Sequence, residues 1–146
     1  MKNKKQDLKI TSILVLILAA FSIINIVAGL IWGDINTATI PEGAPENIIT
    51  ITKVVIAVFS ALFLIPQVYV GIKGMKFANK PDSSKAHIVW AMILFVIAIL
   101  GLISPVTGII STGNVKDYLG TVLSLMLEIV IYLEYIIYAK AVAKAN

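Results

Sequence analysis

The chain contains no cysteine, and all twelve of its basic residues are lysine. Without a thiol there can be no disulfide, thiolate metal site, cysteine nucleophile or cysteine-linked lipid anchor. Without arginine there is no planar guanidinium fork for bidentate grip on carboxylate or phosphate. The one histidine, His87, has no second His and no acid at ligand spacing, so a metal site is not expected and a pH response is the role left to it. Nucleophile elbows, Walker sequences and paired-histidine motifs are absent, and the Gly71-x-x-Gly74 pair lacks the context of a phosphate loop. Neither enzyme activity nor a cofactor is expected.

Charge is scarce as well. Charged residues make up 14% of the chain and hydrophobic residues 59%, against about 25% and about 45–50% in ordinary globular domains. The mean hydropathy is +0.96. A soluble helical fold of this composition would have too little polar surface to cover its core.

What the chain does have is four long apolar runs, within a length of 146 residues that suits one domain (1–146). They fall at about residues 10–32, 49–72, 88–110 and 118–139, and a spanning helix needs about 20 residues. The expected fold class is an all-α membrane protein, an antiparallel four-transmembrane-helix bundle. The basic head Met1–Lys9 followed by Ile10–Trp32 also suits a secretory signal. The run is longer than a signal's apolar core, and no A-x-A site follows it, so it reads as a retained helix. Gly33–Ile48 holds two Pro, two Gly, three acids and no Lys, and reads as an irregular loop. Lys73–Ala86 reads as a second, basic loop and Ser111–Lys116 as a tight turn. The two hairpins show no internal repeat.

Orientation follows from the lysines. The head, second loop and tail carry four, four and two, against only Lys53 and Lys116 on the other side. Cytoplasmic loops hold the basic excess, so a cell-membrane, multi-pass protein with both termini cytoplasmic is expected. The net charge of +4 is thereby explained by topology and attraction to anionic lipid, with no nucleic acid partner. Lys53 is expected to snorkel toward Asp34, Glu46 or Asp117.

Helices in lipid associate through small and polar side chains. Helical spacing gives each run one such face: Leu18, Ser22, Asn25 and Gly29; Ala57, Ser60, Gln67, Gly71 and Gly74; Ala91, Ala98, Gly101, Pro105 and Gly108. In the fourth it is Thr121, Ser124, Glu128, Tyr132 and Tyr135. Glu128 falls near the middle of its run, where an ionised carboxylate costs roughly 2.5–3.5 kcal/mol on insertion scales. Burial away from a cation favours its neutral form, which can donate a hydrogen bond and exchange a proton. Depths counted at about 1.5 Å per residue suggest three polar layers: Asn25 with Ser104 or Thr107, Glu128 at the middle, and Gln67 with Glu134.

The pair Pro66–Gln67, in LIPQVYVGIKGMK, resembles the dipeptide that hinges a helix in the PQ-loop transporters. The three runs from the second onward match the triple-helix unit of that family, and the extra first run departs from it. Four spans with an intramembrane Glu also resemble the small multidrug-resistance exporters, whose essential carboxylate lies in the first helix, where this chain has only Asn25.

The residues thus point to a small transporter or channel subunit for a small solute, cation or proton, with Glu128, Glu134, Gln67, Asn25 and Tyr132 as binding residues. The interior is small, so a homo-oligomer or another membrane protein is the expected partner besides the lipid bilayer. The competing expectation is a non-transporting accessory, scaffold or immunity-type protein that binds another membrane protein or lipid, with Glu128 acting as interhelical glue.

Overall fold

The computed structural model describes residues 2–32, 43 and 45–145, with the backbone alone at Lys2 and Trp32. It is 91% helix, with no strand among the described residues. The helices are α1 (Lys2–Trp32), α2 (Glu46–Asn79), α3 (Ala86–Gly101), α4 (Ile103–Thr112) and α5 (Val115–Lys144). α3 and α4 form one rod interrupted at Leu102, so there are four rods, each long and apolar enough to cross a membrane.

The helices outrun the apolar stretches that define them. The second loop was expected to begin at Lys73, but α2 continues to Asn79. Phe77 and Ala78 are 1% and 2% exposed, so their burial stabilises the added turns. The loop shrinks to Lys80–Lys85. Pro81 disfavours helix at the residue before it, and Lys80 is extended accordingly, at φ −135° and ψ 88°. The first loop likewise gives up Glu46–Ile48 to α2; residues 33–42 and 44 lie outside the described residues.

Proline shapes two rods differently. Pro66 sits within α2, which continues through it. Pro105 cannot bond back to the Gly101 carbonyl, and the third rod breaks just there. The Leu102 amide bonds to the Ile99 carbonyl at 3.1 Å, a tighter turn than the helix on either side. α4 ends at Gly113, whose φ of 68° closes the turn into α5.

α1 packs on α2 and α5, and α3 packs on α2 and α5, so the rods close a ring in the order α1, α2, α3, α5. α4 rests mainly on α5. Positions along the rods match in opposing order. Gly71 meets Leu16 where Gly74 meets Ser12, and Gly101 meets Leu125 where Gly108 meets Tyr118. Gly74 is the point of closest approach: a Cβ there would run into Ser12 Oγ and the Tyr135 ring.

The core is concentrated toward the end that carries both termini. Leu8, Val15, Val70, Ala91, Tyr135 and Ala139 are fully buried there. Toward the other end large apolar side chains face outward, with Phe21 and Phe59 61% exposed and Ile110 78%.

Candidate functional site

Where the dense core gives way, the four rods border a partly open cavity of about 480 Å³. Every rod contributes to it. α1 supplies Ser22 and Asn25, α2 Ser60, Phe63 and Gln67, α3 Ala98 and Gly101, and α5 Leu125, Glu128 and Tyr132. Glu128 is the only acidic residue on its wall, and no lysine or histidine lines it. The carboxyl therefore faces neutral polar groups and hydrocarbon.

Helical spacing makes this convergence. Ser22 and Asn25 are three apart on α1, Ser60 and Gln67 seven apart on α2, and Glu128 and Tyr132 four apart on α5, so each set shares one helix face. On α3, Leu94, Ala98 and Gly101 follow the same rule and offer short or retracted side chains. The small residues leave the volume, and the polar ones stand around it.

Two of these polar side chains are buried on the cavity wall. Gln67 is 8% exposed and Tyr132 1%. Among the described residues, Gln67 Oε1 makes no hydrogen bond, and the Tyr132 hydroxyl has the Gln67 side chain as its neighbour. An unmet buried polar group costs about 1–3 kcal/mol. Tyr135, less than one turn further along α5, is by contrast satisfied: its hydroxyl donates to the Val70 carbonyl at 3.0 Å.

Of the five residues singled out in the sequence, Asn25, Gln67, Glu128 and Tyr132 come together on this one wall, although Asn25 is also exposed to the outside. Glu134 does not join them. It is half-buried and lies off the cavity, so its expected layer with Gln67 does not form. The outer layer fails for another reason. Thr107 Oγ1 donates within its own helix, to the Ile103 and Ser104 carbonyls at 2.9 Å each, rather than to Asn25. Lys53 forms no ion pair with Glu46 or Asp117, and Asp34 lies outside the described residues. Asp117 instead accepts from Asn114 Nδ2.

The ion pair among the described residues is Lys73–Asp82, at 2.9 Å. Lys73, with the Ser84 amide on the other oxygen, holds the Asp82 carboxyl below its ordinary range. Near it, His87 is fully buried, with ring centroids 4.6 Å from Phe77 and 6.2 Å from Tyr135. Neither ring nitrogen has a hydrogen-bond partner among the described residues. The sequence reading left His87 a pH response and did not include its burial. The signal was present, since Ala91, Leu94 and Ala98 follow it at helical spacing on the packed face.

Among the described residues, no group of three or more His, Asp or Glu could hold a metal ion. Comparison with known proteins finds no matching family model, no matching curated protein and no matching solved structure.

Proposed function

We propose that this chain is a polytopic cell-membrane protein, an antiparallel four-helix bundle with both termini cytoplasmic, that binds a small cation or proton at Glu128 as part of a transporter or channel. Four long apolar rods support the membrane placement. The opposing residue order at the helix contacts supports the antiparallel arrangement. The lysine-rich end supports the orientation.

The observation that carries the binding role is the cavity itself. A lone carboxyl faces it without a counter-charge, beside the buried Gln67 amide and Tyr132 hydroxyl. Were Glu128 only glue between helices, its neighbours would be expected to be satisfied by protein. The polar wall, with Gln67 Oε1 unbonded among the described residues, supports a role beyond the fold. A hydrated proton or small cation suits one carboxylate, the Asn25 and Gln67 amides and the hydroxyls of Ser22, Ser60 and Tyr132. Apolar walls at Phe63 and Leu125 would also admit a small organic cation.

The alternative, a non-transporting accessory protein, is favoured by the dense core beneath the cavity, where Val70, Phe77, His87 and Tyr135 are buried. Flux measurements in proteoliposomes separate the two. Under a pH gradient, Glu128→Gln should keep expression and folding and abolish proton-coupled flux, and undiminished flux in that variant would remove Glu128 from the site. If the wild type carries no flux and Glu128→Leu changes only stability or assembly, the accessory reading holds.

A further inference from the structure

A second concavity lies away from Glu128, between the start of α3 and the end of α5, with a volume of about 400 Å³. Its rim carries Lys85, Lys140 and Lys144, all exposed, and no acidic residue lines it. Its floor is apolar, formed by Ile88, Val89 and Met92 among others. Val89 and Met92 also belong to a shallower apolar groove of about 300 Å³ that continues along α3 to Ile97. Lys85 to Ile97 is twelve residues of mostly helical rise, about 18 Å at 1.5 Å per residue. One leaflet of hydrocarbon is about half of a 30 Å core.

The track is thus charged at one end, apolar along the rest, and close to one acyl chain in length. The helix dipoles do not create the charge, because the positive start of α3 and the negative end of α5 meet at the same place and offset each other. The lysine side chains create it. We infer that this groove is a binding site for an anionic glycerophospholipid of the cytoplasmic leaflet, with the phosphate held among Lys85, Lys140 and Lys144 and one acyl chain lying along Val89, Met92 and Ile97. The inference rests on the membrane placement proposed above and is independent of any transport role. Phosphate alone would satisfy the lysines but leave the apolar track uncovered, so the occupant is a whole lipid.

The test uses the full chain reconstituted in phosphatidylcholine bilayers, with spin-labelled phosphatidylglycerol or spin-labelled phosphatidylcholine as probe. Motionally restricted phosphatidylglycerol should exceed restricted phosphatidylcholine. Replacing Lys85, Lys140 and Lys144 with Gln should cut that preference by roughly fivefold per lysine. A control with the same charge change, Lys4, Lys76 and Lys80 to Gln, should leave most of it intact. Met92→Trp fills the track without altering charge and should also lower the preference. Inorganic phosphate and glycerol phosphate should not displace the probe. Equal loss in the control variant, no effect of Met92→Trp, or displacement by free phosphate overturns the lipid site. Failure of both probes to be restricted would instead overturn the membrane placement.

Discussion

Glu128 and Tyr135 lie seven residues apart on one stripe of α5, about 10 Å along its axis, and their surroundings differ sharply. Tyr135 is fully buried, wedged against Gly74 and His87, and bonded to the Val70 carbonyl. Tyr135→Phe should therefore lower stability in detergent by about 0.6–1.5 kcal/mol while leaving the Glu128 cavity and its function intact; a loss of flux with unchanged stability would contradict this division. The sequence displayed the stripe itself, since spacing alone aligns Glu128, Tyr132 and Tyr135. It could not display which members pack and which line a cavity. Thr121 and Ser124, on the same stripe, are exposed, because where the rods lose their dense core periodicity marks a face without saying that a neighbour covers it. Glu134 shows the reverse difficulty: its depth matched Gln67, but its direction around the helix took it off the shared wall.

Helix boundaries were legible to within a turn at Gly113, where glycine closes the turn between α4 and α5. They were misjudged at the α2 end, where Lys73 and Lys76 looked like loop residues and are in fact the polar side of a helix whose other side buries Phe77 and Ala78. The value of a glycine also depends on the facing element. At Gly74 any Cβ collides with α1 and α5, whereas at Gly120, within α5, nothing lies within 4 Å. Gly74→Ala should destabilise by about 1–3 kcal/mol through overpacking and disturb the Tyr135–Val70 bond. Gly120→Ala should be neutral or stabilise by up to about 1 kcal/mol, from helix propensity alone. Thermal unfolding of the two variants side by side checks this, and similar shifts for both would deny the close approach of α1, α2 and α5 at Gly74.

At the scale of the whole chain, the absence of cysteine offers a clean test of topology, because any thiol introduced is the only one present. Ser83→Cys, in the α2–α3 loop, should resist a membrane-impermeant maleimide in intact cells, and Ser111→Cys, at the end of α4, should react. The opposite pattern would invert the orientation. The four long apolar helices were the most legible feature of the sequence, since each apolar run stands out whatever boundary is chosen for it. The uneven density of the packing was not, because it depends on how the faces interlock. That unevenness has its own consequence. Under the proposed transport role, a solute at Glu128 would meet the buried Phe77, His87 and Tyr135 on its way to the end that carries the start of α1 and the end of α5. Net passage would require a second arrangement in which the plug of Phe77, His87 and Tyr135 parts. Those side chains are buried where Gly74 draws α1, α2 and α5 together, so parting them would uncover more packed surface than a movement at the looser end.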